Sequence, residues 1–242
     1  MKPASLSRDV PRPFIHVVAA AVIDATGRVL IAQRPAGKHL AGGWEFPGGK
    51  LEAGEERLAG LARELREELG ITHVMTPRPL IRVRHANPSR EVLLDIWVVK
   101  RYSGDPEGLD GQVLRWCTEE GLATVDLLPA DRPIVAALRL PERLMALSSP
   151  YYDILDSTSV VRTNARAGVT HDARLRGVFC ANVADAAAAT GAGAEFLVLC
   201  EVLSPGELAV LCQLVSVPVY ARGLALEEAW ALGASGTNEI NV

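Results

Sequence analysis

The feature that most constrains this chain is the segment from residue 47 to residue 71, where a glycine-rich break precedes an acidic, amphipathic run. Pro47-Gly48-Gly49 interrupts regular structure, and Glu55–Leu69 then repeats apolar residues at helical spacing. Gly70 follows at a position typical of a helix end. The apolar stripe of the predicted helix consists of Leu58, Ala62, Leu65 and Leu69. The segment therefore predicts a helix with one buried face that starts beside a flexible turn.

The opposite face of this helix carries three glutamates, Glu64, Glu67 and Glu68, at spacings of three and four residues. Carboxylates at such spacings repel one another by about 0.2–0.5 kcal/mol per pair. One interpretation is an ordinary solvated face that Arg63 and Arg66 neutralise. The other is a site for a divalent cation, because hard cations prefer carboxylate oxygens. The glycine turn, whose backbone can approach the same face, favours the metal site.

The whole segment resembles the signature of the Nudix hydrolases, which cleave nucleoside diphosphates linked to another group. The matching residues are Gly49, Glu55 and the run Arg63-Glu64-Leu65-Arg66-Glu67-Glu68-Leu69-Gly70-Ile71. The resemblance implies that water attacks a phosphorus atom, with Mg²⁺ as cofactor and Mn²⁺ as an alternative. The metal ligands it implies are the Gly48 carbonyl, Glu64, Glu67, Glu68 and Asp110. It further implies that Arg63 orients the carboxylates and that the catalytic base is Glu64, with Asp110 as its rival.

A second resemblance, over Val17 to Leu140, is to the MutT group of this family. That group hydrolyses oxidised purine nucleoside triphosphates such as 8-oxo-dGTP to the monophosphate and pyrophosphate, which cleanses the nucleotide pool before DNA synthesis. The matching pieces are Ile31–Arg34, Gly43–Lys50, Gly108–Gln112 and Leu128–Pro133. The resemblance implies that Arg34 contacts phosphate or base and that Phe46 packs on the nucleobase. Asn87, at a position suited to stacking on the base, and Asp131 complete the predicted substrate-binding set.

Asp131 departs from the MutT pattern, which has asparagine at this position. An ionised aspartate only accepts hydrogen bonds, so it would suit a base edge that offers N–H donors. The alternative is a structural one, in which Asp131 caps the helix that starts around Pro133. Both interpretations stay open at the level of sequence.

The order of predicted elements indicates an α/β (α+β) protein with a mixed sheet, built as the Nudix α/β/α sandwich and followed by a partial (β/α) barrel. We expect a flexible arm at 1–13, a Nudix domain at 14–141, a linker at 142–150 and a further domain at 151–242. Beyond residue 150 strands and helices alternate, as in βα units on a parallel sheet.

This last part resembles thiamine phosphate synthase and its TenI-like relatives, which are (β/α)₈ barrels. The segments that carry the resemblance are Leu175–Asn182, Gly193–Leu199, Val217–Gly223 and Leu232–Gly236. A closed barrel needs about 200 residues or more, so the part after residue 150 predicts a truncated barrel that no longer makes thiamine phosphate. Its open sheet edges must be covered, either by packing on the first domain or by forming a homodimer.

Composition narrows the function classes. The net charge of −4 argues against a nucleic acid polymer as partner, although a metal-neutralised nucleotide remains compatible with it. Four cysteines without a C-x-x-C pair, and no apparent secretory signal, predict reduced thiols and a cytoplasmic location. The apolar run Phe14–Ile23 is too short to cross a bilayer and predicts a buried strand, so we expect no membrane association.

Two function classes follow. The first is an enzyme, a Mg²⁺-dependent nucleoside triphosphate pyrophosphohydrolase or a Nudix hydrolase with another nucleoside-diphosphate-linked substrate. The second is a sensor that binds a nucleotide or a thiamine-related ligand without hydrolysing it. The complete set of Arg63, Glu64, Glu67 and Glu68 favours the enzyme.

Overall fold

The computed structural model describes residues 13–87, 90–155 and 174–240 of the chain. Apart from Pro13, the predicted arm at 1–13 lies outside the described residues. The helices are α1 (Arg57–Leu69), α2 (Glu119–Leu122), α3 (Arg132–Arg139), α4 (Val183–Gly191), α5 (Pro205–Leu214) and α6 (Leu226–Leu232). The strands are β1 (Phe14–Val22), β2 (Val29–Gln33), β3 (Trp44–Glu45), β4 (Gly48–Lys50), β5 (His73–Met75), β6 (Arg78–Asn87), β7 (Arg90–Val99), β8 (Arg101–Ser103), β9 (Val113–Cys117), β10 (Arg143–Leu144), β11 (Tyr152–Leu155), β12 (Leu175–Cys180), β13 (Phe196–Leu199), β14 (Val219–Arg222) and β15 (Gly236–Asn238).

The N-terminal part is built on a mixed four-stranded sheet with the order β4-β1-β7-β6. Strands β1 and β7 run parallel, whereas β4 and β6 are antiparallel to their neighbours. A three-stranded sheet, β3-β2-β9, and a two-stranded sheet, β5-β8, complete this part. The mixed sheet confirms the predicted fold class for this half of the chain.

Alternation along β1 sends side chains to two separate cores. Val18 and Ala20 face α1 and pack with Leu61 and Leu65 of that helix. Ala19 and Ala21 face the opposite way, into a core that includes the residues of α3. The sheet therefore lies between two helical layers, and α1 is held rigidly over β1 and β4.

Helix α1 differs from the predicted helix in its start and in its buried stripe. It begins at Arg57 rather than Glu55, and its buried residues are Gly60, Leu61, Leu65 and Leu69. Leu58, expected to be buried, is 46% exposed. The reason is Gly60, because a Cβ atom there would lie 2.3 Å from Leu51 Cδ2, so this turn of the helix lies flat on the preceding loop.

The C-terminal part is a curled, parallel six-stranded sheet with the order β10-β15-β14-β13-β12-β11. Helices α4, α5 and α6 follow β12, β13 and β14 in turn, which confirms the predicted βα alternation. The predicted linker at 142–150 includes β10, which pairs with β15. The segment after β10 then bonds to the other edge strand, with Ser148 bridging Asp153 and Ile154 N donating to Leu147 O at 2.8 Å. Local pairing thus covers an edge that we expected to be open.

Three aromatic rings fill the concave side of this sheet. Phe196 contacts Tyr152 and Tyr220 edge-on, with centroid distances of 5.7 and 6.1 Å. The Tyr220 hydroxyl donates to Pro141 O at 2.6 Å. Of the four cysteines, all free thiols, Cys117, Cys180 and Cys212 are buried.

The C-terminal part packs against β6, the edge strand of the four-stranded sheet. Ser216 Oγ donates to Arg84 O at 2.7 Å, and the Arg78 guanidinium pairs with Glu142 at 2.9 Å and lies over the Trp230 ring. Packing on the first domain, one of the two arrangements that we expected for this part, is therefore present. The homodimer stays a prediction. Within the described ranges, no helix has the length and apolar character needed to span a membrane.

Candidate active site

The backbone of the glycine turn before α1 passes close to its neighbours. Gly48 has φ of +147°, and a Cβ atom there would lie 2.2 Å from Val18 O. A Cβ atom at Gly49 would lie 2.3 Å from Oε2 of Glu64. The backbone of β4 therefore passes directly beneath the Glu64 carboxylate, as the flexible turn predicted.

The Arg63 guanidinium organises the face of α1 that carries Glu64, Glu67 and Glu68, which we call the acidic face. Arg63 donates through Nε and Nη2 to Glu55, at 2.8 and 2.9 Å, and through Nη1 to Glu64 at 2.9 Å and Glu67 at 3.1 Å. Nη2 also donates to Lys50 O at 3.1 Å. Hydrogen bonds from Arg63 lower the pKa of Glu55 to about 2, and the same carboxylates raise the pKa of Arg63. Arg63 thus links the loop before α1 to two of the three glutamates.

Glu68 contacts the backbone of Gly48, whereas Glu64 and Glu67 contact Arg63. Its Oε2 accepts a hydrogen bond from Gly48 N at 3.2 Å. Burial raises the pKa of Glu68 to about 7, and the negative charges of Glu64, Glu45 and Asp110 add to the shift. The free protein therefore holds Glu68 partly protonated at neutral pH, and a cation or a phosphate-bound metal would favour its ionised form.

Asp110 lies on a turn at residues 108–112, which we call the Asp110 turn. This turn is attached to the end of α1, because Leu109 N and Gln112 Nε2 donate to Glu68 O at 3.0 and 2.9 Å. Gln112 Oε1 accepts from Asp110 N at 2.8 Å. The Asp110 carboxylate lies 3.4 Å from Nζ of Lys38. Sequence positions 68 and 110 are therefore brought into one cleft.

The predicted metal ligands do not converge on a single point in this structure. Within the described residues, no group of three or more His, Cys, Asp and Glu side chains is arranged to hold a metal ion. Glu64 and Glu67 turn toward Arg63, and Glu68 turns toward Gly48 N. Glu67 has one contact of this kind and is 55% exposed, so its carboxylate can turn at little cost. The donor set consists of oxygens alone, which fits a hard divalent cation.

The cleft beside these carboxylates is lined by opposite charges. Its charged and amide side chains are Gln33, Arg34, Lys38, Glu45, Glu68, Asp110 and Gln112. Arg34 Nη1 donates to Glu45 at 2.6 Å, and Arg34 Nε is buried without a hydrogen-bond partner among the described residues. A buried N–H group of this kind suits an incoming phosphate oxygen.

Asp131 is buried, at 5% exposure, and its charged neighbours Glu45 and Arg34 line this cleft. Burial raises its pKa to about 8, the Glu45 charge adds to the shift, and the Phe46 N–H and Arg34 oppose it. A pKa of about 8 favours the protonated carboxyl at neutral pH, which can donate as well as accept a hydrogen bond, whereas the ionised form considered from sequence only accepts. Its side chain makes no capping bond to α3, although it occupies the N-cap position.

The remaining predicted substrate residues are placed differently. Phe46 is 3% exposed and packs in the core, so it offers its backbone N–H, rather than an open ring, on the cleft side. Asn87 ends β6, and its side chain lies outside the part that the structure describes. Arg34 lines the cleft, and its contact with phosphate or base stays a prediction.

Glu45, Lys38 and Gln112 line the cleft, but we did not predict roles for them. Glu45 lies between Trp44 and Phe46, both buried, and this alternation would have indicated that its side chain points the other way. Lys38 is the one lysine of a loop rich in glycine and proline, a composition that allows it to reach the cleft. The sequence gives no such signal for Gln112, because its side chain is positioned by a hydrogen bond to the distant Glu68 carbonyl.

The N-terminal part of the chain is similar in sequence to known proteins. The NUDIX domain family matches residues 18–137. CTP pyrophosphohydrolase of Escherichia coli (strain K12) is 40% identical over 120 residues, 50% of this chain and 88% of that protein. 8-oxo-dGTP diphosphatase of the same strain is 34% identical over 128 residues, 52% of this chain and 96% of that protein. A MutT structure, from a study of the proteins of Aliivibrio salmonicida and Vibrio cholerae, is 35% identical, covers 52% of this chain and 96% of its own, and has a TM-score of 0.45.

The family match ends at residue 137, before the curled sheet begins, so the resemblance of the C-terminal part to thiamine phosphate synthase stays a prediction. For the N-terminal part, sequence and geometry agree. The relatives are matched over most of their own length, and the range that matches the family includes the glycine turn and the acidic helix. This chain therefore belongs to the Nudix hydrolases.

Proposed function

We propose that this chain hydrolyses nucleoside triphosphates, including oxidised purine forms such as 8-oxo-dGTP, to the nucleoside monophosphate and pyrophosphate, and so cleanses the nucleotide pool. The observation that carries the proposal is the linked set of Arg63, Glu64 and Glu67 on α1, directly above the Gly49 backbone. The relative named 8-oxo-dGTP diphosphatase, 34% identical over 96% of its length, supports the substrate class.

A divalent cation, Mg²⁺ or Mn²⁺, fits the acidic face by the chemistry of its donors. The carboxylates of Glu64, Glu67, Glu68 and Asp110 and the Gly48 carbonyl would hold it. When bound, such an ion neutralises phosphate charge and lowers the pKa of water. Arg63 keeps Glu64 and Glu67 near each other despite their repulsion, which reduces the reorganisation that binding requires.

The reaction needs a group that accepts one proton. Water forms a new bond to phosphorus while the bond to the bridging oxygen breaks, and the proton of the water passes to a carboxylate. Glu64 is the first candidate, because Arg63 and the Gly49 backbone fix its position. Asp110, half exposed and on a turn attached to Glu68, is the second.

A protonated Asp131 carboxyl presents one hydrogen-bond donor and one acceptor. It therefore favours a nucleobase edge that offers one acceptor and one donor in return. A 6-oxopurine offers the matching pair O6 and N1–H, and cytosine offers N3 and N4–H. A cytidine nucleotide is therefore a second candidate substrate, and the relative named CTP pyrophosphohydrolase, 40% identical over 120 residues, favours it. A sensor that binds without hydrolysis is the contrasting proposal.

The test is pyrophosphate release from 8-oxo-dGTP, dGTP and CTP with Mg²⁺ or Mn²⁺. The variant Glu67→Gln should lower kcat by about 10²-fold or more, because it removes a charge from the acidic face. Its melting temperature should stay close to that of the wild type, since Glu67 is half exposed with one arginine contact. Glu52→Gln, at an exposed glutamate of the preceding loop, is the matched control and should retain full activity.

The outcomes separate the proposals. Turnover that is fastest with 8-oxo-dGTP supports nucleotide-pool cleansing, and turnover that is fastest with CTP supports the second candidate. Tight nucleotide binding without turnover in the wild type supports the sensor. Full activity in Glu67→Gln would refute the role of the acidic face.

A further inference from the structure

Of the two cations that line the cleft, one is not held in a buried ion pair. Among the described residues, the cations that line this cleft are Arg34 and Lys38, and the acids are Glu45, Glu68 and Asp110. Arg34 is committed to Glu45 through a hydrogen bond of 2.6 Å and is three-quarters buried. Lys38 is therefore the cation that an anionic ligand can recruit without breaking a buried ion pair.

The present partner of Lys38 holds it weakly. Lys38 Nζ lies 3.4 Å from Asp110 Oδ2, and the two side chains are 50% and 52% exposed. Exposed pairs of this kind contribute about 0–1 kcal/mol. A polyphosphate, with several negative charges, competes favourably with a single exposed carboxylate for the same ammonium group.

Lys38 is carried by residues 34–43, which we call the cleft loop. The base of the loop is closed, because Arg34 N donates to Gly43 O and Gly42 N donates to Arg34 O, both at 2.9 Å. Its tip is exposed, and Gly37 and Leu40 at the tip have positive φ angles of 90° and 59°. Because Lys38 is exposed at this tip, its side chain can turn away from Asp110 while the base of the loop stays closed.

The other side of the contact is fixed. The Asp110 turn is bonded twice to the Glu68 carbonyl at the end of α1. The Lys38–Asp110 pair consequently connects the exposed tip of the cleft loop to the helix that carries the acidic face. When Lys38 leaves, Asp110 loses its counter-charge and becomes available to that face.

We propose that Lys38 is a substrate-binding residue that rests on Asp110 in the free protein and moves onto the phosphate chain of a bound nucleoside polyphosphate. The move frees the Asp110 carboxylate from its ion pair when substrate arrives. This inference rests on the proposed function, because it takes a nucleoside polyphosphate as the ligand.

The test combines equilibrium binding with kinetics in the full-length chain. The probe for binding is a nucleoside α,β-methylene triphosphate, which binds without being hydrolysed, measured by calorimetry with Mg²⁺. Lys38→Met should raise its Kd, and the KM of the hydrolysed nucleotide, by about tenfold, the effect of losing one charge-assisted hydrogen bond. The kcat should change by less than about threefold, because Lys38 acts in binding.

Two further variants decide whether charge is the cause. Lys38→Arg keeps the charge and should leave Kd within about threefold of the wild type. Lys100→Met removes an exposed lysine that does not line this cleft and should leave Kd unchanged. A Kd for Lys38→Met within twofold of the wild type, or an equal loss in Lys38→Arg, would overturn the inference.

The binding measurement also distinguishes a failure of this inference from a failure of the proposed function. If the wild type binds the analogue but hydrolyses no nucleotide, the proposed function fails while the Lys38 effect on Kd still decides the inference. If hydrolysis occurs and Lys38→Met changes neither Kd nor KM, the inference alone fails. If the wild type binds no nucleotide, both fail.

Discussion

The Glu64 carboxylate rests directly on the backbone of Gly49, where a Cβ atom would lie 2.3 Å from Oε2. Gly49 does not have a positive φ angle, so its backbone conformation alone would accept alanine. What excludes a side chain is the carboxylate, which is the end of a flexible side chain and can move aside. The contact therefore constrains the position of Glu64 far more than it constrains the fold.

This relationship predicts that Gly49→Ala separates activity from stability. We expect kcat to fall by about 10²-fold, as a displacement of a catalytic group by about 1 Å can do. The melting temperature should change by less than about 4 °C, because the shift corresponds to about 1 kcal/mol or less. Steady-state pyrophosphate release and thermal unfolding give the two numbers. Gly206→Ala, at a glycine with open space around it, is the control, and an unchanged kcat in Gly49→Ala would contradict the argument.

The buried carboxyl of Asp131 predicts a characteristic dependence of stability on pH. Its pKa is raised from the ordinary 3.8 to about 8, first by burial and then by Glu45. The unfolded chain ionises this group above about pH 4, whereas the folded chain keeps it protonated to about pH 8. The wild type should therefore lose stability as the pH rises from 4 to 8, relative to Asp131→Asn, which carries no titratable group there.

The measurement is the melting temperature of wild type and Asp131→Asn at several pH values from 5 to 8. The difference between them should grow with pH, since Asn keeps the acceptor for the Phe46 N–H and has no proton to lose. Parallel curves for the two proteins would show that Asp131 titrates normally in the folded state.

Some of the fold could be predicted because its signals are local. Gly70 ends α1 with φ of +71°, and Ser204 and Glu207 form a capping box at the start of α5. Helix α6 spans Leu226–Leu232, as its pattern predicts. In each case the residues that determine the boundary are neighbours in sequence.

Other features depend on contacts between distant residues, which no local pattern reveals. The rotation of α1 that exposes Leu58 depends on Leu51 beneath Gly60. The protonation of Asp131 depends on Glu45, far away in sequence. The acidic face could be predicted in composition, but the partners of its members, Arg63 for Glu67 and Gly48 N for Glu68, could not.

A buried aspartate connects α1 to the C-terminal part and predicts a large stability effect. Asp95 is 2% exposed and lies 2.9 Å from Arg57, at the start of α1, and 3.6 Å from Arg82. Arg82 in turn lies beside Gly233 and Cys212, so the two parts of the chain share this cluster. Burial alone would raise the pKa of Asp95, but His16, Arg82 and Arg57 lower it below the usual value.

Asp95→Asn should lower the free energy of unfolding by about 3 kcal/mol, because it leaves arginines without their buried counter-charge. The stabilisation from Asp95 exists above pH 3.8 and is lost as the pH falls through the lowered pKa of the folded state. Asp153→Asn, which breaks the exposed pair with Arg174, is the control and should cost about 1 kcal/mol or less. Urea unfolding at neutral pH measures both, and equal losses would refute a special role for Asp95.

The filled interior of the C-terminal sheet gives the final prediction. A Cβ atom at Gly177 would lie 2.2 Å from Cζ of Phe196, whose ring packs between Tyr152 and Tyr220. Gly177→Ala should therefore lower the free energy of unfolding by about 1–3 kcal/mol, the usual cost of overpacking. Combining it with Phe196→Leu should recover part of the loss, because the smaller side chain makes room for the methyl group. Gly191→Ala, in α4 with no atom within 4 Å of the added Cβ, should instead be neutral or stabilising by up to about 1 kcal/mol. Urea unfolding of the wild type, the three single variants and the double variant distinguishes the cases. Additive effects of Gly177→Ala and Phe196→Leu would mean that the interior has space which the ring positions do not indicate.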